Sequence, residues 1–348
     1  MQIAMIGVGM VARTHADAIA ATSGRLSLRG VLSSRQERAK AFAASVTETL
    51  GAAPKVYADL AELAADDGVD FVLVCTPPDA RIEIMKTLAA AGKPILLEKP
   101  LERDSAAALQ VVEICEAAGV PLGVVFQHRM RESSQKAAEI VESGVLGPIA
   151  LVETTIPWWR PQSYYDEPGR GTYARDGGGV MMTQGIHTMN LMLSLTGPVT
   201  TVQAMTRTTG MHKMEAEDFV SAGLEFASGA VGSLVASTAS YPGGAESIVL
   251  HGRDGSLRLT SRQIVLDWQD GRQEVIDTGT NGGSGGGANP MAFTHGWHQA
   301  VIEDFAEALA AGRPPKVTGR EALDVHRLID AVVESSRQKR ALRLEDLA

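Results

Sequence analysis

Short runs of contiguous apolar residues alternate with amphipathic, alanine-rich stretches over the first third of the chain. The runs are residues 2–6, 26–32, 71–75, 94–98 and 122–126. Apart from 26–32, LSLRGVL, their apolar character is mostly continuous rather than alternating, as strands buried on both faces of a parallel sheet require. Between them lie VARTHADAIAAT, QERAKAFAAS, ARIEIMKTLAAAG and DSAAALQVVEICEAAG. The last two end in Gly92 and Gly119 with Pro94 and Pro121 close behind, a helix-stop signature. Strand and helix in this alternation predict a doubly wound parallel sheet with ligands bound outside the carboxyl ends of its strands.

Past about residue 123 the pattern lengthens into IALVETTIPWW, VTTVQAMTR, DFVSAGLEFASGAVGSLVAST, SIVLHGRDGSLRLT and RQIVLDWQD. Turn pairs punctuate them at Ser228-Gly229, Asp254-Gly255 and Asp270-Gly271, the last two good hairpin dipeptides. Helical patterns follow Gly179 and close the chain from roughly His298 to Gln338. The fold predicted is an α/β Rossmann domain over residues 1–122 and an α+β domain with a large, mostly antiparallel open sheet over residues 123–348. The glycine-rich TGTNGGSGGGANP, residues 278–290, reads as a surface loop.

Composition narrows the function without naming it. With 348 residues, 45% hydrophobic and 21% charged, the chain has ample material for two cores. A net charge of -9 argues against a nucleic-acid partner, since no basic stripe neutralises phosphates. No apolar run approaches about 18 residues and no secretory leader is evident, so no membrane span is expected and the cytoplasm is the default. Two cysteines, Cys75 and Cys115, fit a reducing compartment. His295 and His298 have no Cys or acidic cluster beside them in sequence, so no metal site is expected. An open sheet face is unlikely to stay wet, which predicts self-association.

The first strand leads directly into Gly7-Val8-Gly9-Met10-Val11-Ala12, a G-x-G-x-x-A loop opening a helix. Gly7 permits the tight turn, Gly9 lets the backbone approach a pyrophosphate, and the amides of the helix start, Met10 and Val11 among them, face the anion. The second strand ends in Leu32-Ser33-Ser34-Arg35, where a dinucleotide site preferring NAD usually has a carboxylate. Two hydroxyls and a guanidinium suit a 2′-phosphate, so NADP is favoured, with NAD as the alternative.

The combination of GVGMVA, CTPP (Cys75, Thr76, Pro77) after the fourth strand, EKP (Glu98, Lys99, Pro100) after the fifth and RDGGGVMMTQGIHTMNLMLSLTG from Arg175 resembles the Gfo/Idh/MocA family of oxidoreductases. The resemblance runs from residue 2 to about 345. It implies an NAD(P)-dependent dehydrogenase or reductase of a sugar, sugar derivative or cyclitol, working as a dimer or tetramer. In that family the EKP lysine, here Lys99, reaches the nicotinamide ribose and the substrate hydroxyl. An ammonium desolvated beside a pyridinium is expected to have a lowered pKa, nearer to useful acid/base work. Pro100 restricts the backbone of Lys99.

The resemblance makes His187 the proton acceptor, converging with Lys99 on one reactive carbon. It also implies cofactor contacts from Cys75, Thr76, Pro77, Glu98, Gln127, Trp159 and Arg160, with His128 and Arg129 near the nicotinamide end. Substrate contacts are expected from Tyr164, Tyr165, Arg175, Asp176 and Thr183. Thr183 stands where inositol dehydrogenase-like members have an aspartate, and Asn190 where they often have another, so an inositol-type Lys–Asp–His arrangement is doubtful. Two alternatives remain at this stage: a reductase of a nonsugar carbonyl or dehydrogenase of a trans-dihydrodiol, and a regulatory NADP-binding protein without catalysis.

Overall fold

The computed structural model describes residues 1–279, 286–287 and 294–347, so most of the glycine-rich stretch lies outside the described residues. The chain divides into two compact units, Met1–Gln127 with His295–Leu323 and His128–Thr294 with Asp324–Ala348.

In chain order the first unit contains β1 (Gln2–Ile6), α1 (Ala12–Ala20), β2 (Ser27–Leu32), α2 (Gln36–Leu50), β3 (Lys55–Val56) and α3 (Leu60–Ala64). It continues with β4 (Phe71–Val74), α4 (Arg81–Ala90), β5 (Ile95–Glu98), α5 (Ser105–Ala117) and β6 (Leu122–Val125). The six strands pair in the order β3-β2-β1-β4-β5-β6, all parallel. Every residue of β4, β5 and β6 is buried, the consequence of helices on both faces. The order reverses between β1 and β4, the switch point at which such sheets bind ligands.

The second unit begins with α6 (Glu132–Glu142), β7 (Ile149–Pro157), α7 (Gln162–Tyr165), α8 (Tyr173–Asp176) and α9 (Ile186–Thr196). Then come β8 (Val199–Arg207), β9 (Phe219–Phe226), β10 (Val231–Ser237), β11 (Ser247–Gly252), β12 (Gly255–Leu259), β13 (Gln263–Trp268) and β14 (Gln273–Asp277). Two helices, α10 (Gly296–Ala311) and α11 (Gly319–Gln338), and a short β15 (Leu342–Arg343) close the chain. The nine strands β7–β15 form one sheet, antiparallel apart from the β7–β10 pair. Side chains alternate along β7: Val152, Thr154 and Ile156 are buried while Leu151, Glu153 and Thr155 face out. Neither β14 nor β15 was among the expected strands; β14 carries only one half-buried residue and no buried one, so hydrophobic patterning could not single it out.

The division differs from the contiguous 1–122 and 123–348 of the sequence reading, because α10 returns to the first unit. Gly123 in β6 leaves a space that Phe305 of α10 fills; a Cβ on Gly123 would meet that ring at 2.6 Å. Phe305 also packs edge-on against Phe71 at 5.2 Å between centroids. Burying such a ring stabilises by roughly 2–3 kcal/mol, which a helix distant in sequence supplies as readily as a neighbouring one. Val317 accepts from the Val124 amide at 3.1 Å and Thr318 bridges Gly123, so the edge strand β6 is also covered. Among the described residues no helix is long and apolar enough to cross a membrane.

Candidate active site

The glycine loop has the geometry its spacing implies. Gly7 sits at φ 96°, its amide donates to the Leu32 carbonyl at 2.8 Å, and a Cβ there would press within 2.9 Å of the Cys75 carbonyl oxygen. Only glycine tolerates both constraints. Gly9 opens instead to empty space, with nothing within 4 Å of an added Cβ, and Ala12 is fully buried where α1 meets the sheet. Met10 is exposed and Val11 half-buried. At the end of β2, Ser33 is half-buried, Ser34 and Arg35 are exposed, and no carboxylate occurs among these three residues.

The carboxyl ends of β4, β5 and β6 leave the same edge of the parallel sheet as this loop. After β4, Thr76 carries a buried hydroxyl without a hydrogen-bond partner among the described residues, and after β6 the Gln127 side-chain oxygen is in the same condition. Such orphaned polar atoms ask for a polar ligand. With the open Gly9 backbone, they fit a dinucleotide. Cys75 is half-buried, and its thiol is pushed well up, first by burial and then by Glu98.

Arg81, which no motif singled out, fixes this edge. Fully buried at the start of α4, its guanidinium donates to the carbonyls of Glu98 at 2.5 Å, Leu101 at 3.3 Å and also Pro100. It further reaches the Thr76 carbonyl at 2.7 Å, so one planar cation joins the loop after β4 to the backbone on both sides of Lys99. Burial lowers its pKa to about 10, which leaves it charged at neutral pH. The Lys99-Pro100 peptide bond is cis, and Lys99 is half-buried.

The Glu98 carboxylate turns to His15 Nε2 on α1 at 2.7 Å, with His298 Nε2 on α10 at 3.9 Å. The two imidazoles meet edge-on, 5.0 Å between centroids. Burial raises the Glu98 carboxyl, but the His15 hydrogen bond and the pull of His15, His298 and Lys99 outweigh it and hold the group below its usual range. His298 is pushed down to about 3, by burial first and then by His15. The ligand atoms of these three residues lie within 4.8 Å of one another. In sequence His298 has no acidic neighbour; the fold brings one from β5. The short His15–Glu98 bond engages the carboxylate, and the cluster reads as a buried hydrogen-bonded group beside Lys99.

In the second unit, Gly179, last of the run Gly177-Gly178-Gly179, is required by packing. A Cβ on Gly179 would collide with the Glu217 carbonyl oxygen, and the Gly179 and Met181 amides donate to the Glu217 carboxylate at 3.1 and 3.3 Å. Burial raises the Glu217 pKa against those amides. Residues Met181–Gly185 then widen into a π-helical turn that runs into α9, a device common at functional sites. It delivers His187, buried, with its ring stacked on His128 at 4.8 Å between centroids. Thr183 donates to the Gly179 carbonyl at 2.7 Å and to the Gln184 side-chain oxygen, and Gln184 Nε2 donates to the Tyr164 hydroxyl at 3.3 Å. The Asn190 side-chain oxygen is buried without a hydrogen-bond partner among the described residues.

Several residues expected to touch ligand also make contacts inside the second unit. Tyr165 is buried and its hydroxyl is shared with Thr238 at 2.7 Å, its pKa raised by burial. Asp176 accepts from the Gly171 amide at 2.9 Å, and Arg175 donates to the Pro168 carbonyl, so both hold their own loop. Arg160 is 2% exposed, donates to the carbonyls of Trp159 and Gly287 at 2.8 and 2.5 Å, and lies over the Trp158 and Tyr164 rings. That geometry braces the loop. Trp159 stays half-buried, beside His212 and Tyr241. Tyr164 remains half-buried and within reach of Arg170.

Family models match both parts of the chain. One described as an oxidoreductase family with an NAD-binding Rossmann fold covers residues 1–126, and one described as a GFO/IDH/MocA C-terminal domain covers residues 134–258. D-apiose dehydrogenase of Rhizobium rhizogenes is 27% identical over 303 residues, 82% of each chain. Myo-inositol 2-dehydrogenase of Thermotoga maritima is 25% identical over 354 residues, 100% of this chain and 99% of that one. The WlbA dehydrogenase of Bordetella pertussis, solved with NADH and UDP-GlcNAcA, superposes with a TM-score of 0.80 at 27% identity, covering 99% of this chain and 98% of that one.

Proposed function

The chain belongs to the Gfo/Idh/MocA family of oxidoreductases, and from that premise we propose that it is a nicotinamide-dependent dehydrogenase in which Lys99 and His187 handle the proton of a sugar, sugar-derivative or cyclitol hydroxyl. The observation that carries the reading is the carboxyl edge of the parallel sheet. There the open Gly9 backbone and the orphaned oxygens of Thr76 and Gln127 accompany Lys99, whose flanking carbonyls Arg81 holds.

When bound, the dinucleotide supplies the hydride acceptor or donor. The chain's residues do the rest. Gly9 and the start of α1 take the pyrophosphate, while Thr76 and Gln127 fix the nicotinamide half. Lys99, adjacent to the buried Glu98 anion, places an ammonium at a substrate oxygen. His187 takes the hydroxyl proton in oxidation and returns it in reduction, as a positioned imidazole can. Thr183 replaces a carboxylate one helical turn before His187, and its hydroxyl donates to the Gln184 side-chain oxygen, while Gln184 Nε2 donates to the Tyr164 hydroxyl.

NADP is the cofactor we favour, on Ser33, Ser34 and Arg35 at the end of β2. A homo-oligomer built on the open sheet face accords with its composition. Leu151 lies beside Val231 in register, and Val235 shares a second row with Thr155, Ser221 and Met205; the four apolar residues named are each at least 38% exposed.

The test is turnover with NADP and NAD on a panel of pentoses, hexoses, inositols, uronic acid derivatives and aromatic dihydrodiols. Oxidation of at least one sugar or cyclitol, abolished by Lys99→Met, is the expected result. Turnover confined to the dihydrodiols overturns the substrate class, and dinucleotide binding with no turnover on any compound overturns the catalytic reading.

A further inference from the structure

His187 belongs to a buried polar cluster within the second unit. The ring of His128 lies 4.8 Å from that of His187 between centroids, with 29° between their planes. Arg131 Nη2 is 2.6 Å from His128 Nε2, and Arg131 Nη1 donates to Glu246 Oε1 at 2.5 Å. The other carboxylate oxygen of Glu246 accepts from Trp158 Nε1 at 3.1 Å. His128, Arg131 and Glu246 are 3%, 2% and 4% exposed, so this geometry is not a solvated surface accident.

A guanidinium has five donors and no acceptor, and it keeps its proton in proteins. Burial lowers the Arg131 pKa against the pull of Glu246, but from so high a starting value that the cation persists. The nitrogen it faces must therefore present a lone pair. His128 Nε2 cannot carry a hydrogen while Arg131 stands there, which leaves the ring neutral with its proton on Nδ1.

We propose that Arg131, balanced by Glu246, locks His128 in its neutral Nδ1-protonated form, and that this positioning pair keeps the proton of the reaction on His187 rather than shared between two stacked imidazoles. The proposal rests on His187 being the proton acceptor. Without the lock, two rings at this spacing would titrate as a coupled pair, each opposing the charging of the other. Among the described residues, His187 from α9, Arg131 just ahead of α6 and Glu246 ahead of β11 face or feed into His128, and the last two neutralise each other. The lock thus fixes a tautomer while adding little net charge beside His187.

The experiment combines ring-nitrogen NMR of the histidine-labelled full chain with the pH profile of kcat/KM. It compares wild type, Arg131→Lys, and Arg131→Met combined with Glu246→Gln, which leaves no unpaired charge in the interior; His128→Phe assigns the signal. In wild type His128 should keep an unprotonated Nε2 through the range where other histidines titrate. In the double variant that ring should begin to titrate, and the acid limb of kcat/KM should become a two-proton transition displaced by about half a pH unit or more. Arg131→Lys, still a pure donor, should restore the single-proton limb. A wild-type His128 found protonated at Nε2, or a double variant with unchanged tautomer and unchanged limb, overturns the lock. Full turnover by His187→Asn overturns the catalytic role on which the proposal rests, and the spectrum decides the lock independently of it.

Discussion

His15 Nε2 and Glu98 Oε1 lie 2.7 Å apart in the interior of the first unit, and this pair anchors the residue preceding Lys99. His298 completes the group, 3.9 Å from the same carboxylate. Three residues from two helices and a strand thereby fix the end of β5 through side chains, while Arg81 fixes it through backbone carbonyls.

This cluster makes the fold acid-sensitive. Glu98 has a folded pKa below its unfolded value, so its contribution is present above the unfolded pKa and is lost as the pH falls. His298, lowered from 6.5 to about 3, binds its proton in the unfolded chain first, so stability declines as the pH falls through that window. Both act in the same sense. Urea midpoints measured from pH 7 to pH 4 should fall, and His298→Gln should flatten the slope by up to one proton, about 1.4 kcal/mol per pH unit at most. Parallel slopes for the two proteins would refute the assignment.

Arg81→Met should be among the most damaging changes outside the reacting groups. It strips a buried donor from four carbonyls, those of Thr76, Glu98, Pro100 and Leu101. Unsatisfied buried acceptors of this kind cost on the order of 3 kcal/mol together with relaxation. Denaturant titration of the variant reads that loss, and kcat should fall with it because the backbone around Lys99 is released. A variant as stable and active as wild type would remove Arg81 from the account.

Two glycines separate packing from binding. Gly9→Ala places a methyl in open space, so the unfolding midpoint should not move while dinucleotide affinity falls by about tenfold or more as the approach of the pyrophosphate is blocked. Gly179→Ala drives a methyl into the Glu217 backbone and should lower the midpoint sharply. Thermal unfolding and dinucleotide titration of both variants check this; a Gly9→Ala chain that binds as wild type does would contradict the loop's role.

Cofactor choice is open to a charge swap. Arg35→Asp should lower kcat/KM for NADP by about tenfold or more through the lost guanidinium–phosphate pair and the new like charge, and raise relative use of NAD. Initial rates with the two cofactors give the ratio directly. An unchanged ratio would mean that Arg35 discriminates nothing.

What the sequence revealed and what it concealed follow from how far apart the interacting groups lie along the chain. The phosphate loop, the strand ends and the lysine after β5 are local patterns, each set by a few neighbouring residues. Arg81 was invisible because its partners are carbonyls, which every residue carries. Glu246 lies 115 residues from Arg131, and neither sits in a motif, so only the folded sheet joins them. His298 lacked an acidic neighbour until β5 supplied Glu98. The segment between β7 and α9 shows contacts that no local pattern announced. Tyr165, Arg160, Arg175 and Asp176 have the chemistry of ligand contacts; in the folded chain Tyr165 pairs with the Thr238 hydroxyl, while Arg160, Arg175 and Asp176 satisfy backbone groups.

Single-turnover hydride transfer, followed by nicotinamide absorbance with a substrate identified from the panel, tests the central assignment most directly. Lys99→Met and His187→Asn should each slow the transfer by about 10²- to 10⁴-fold, the range of a lost general acid or base, while His187→Asn retains dinucleotide affinity. Transfer at the wild-type rate in either variant would contradict it.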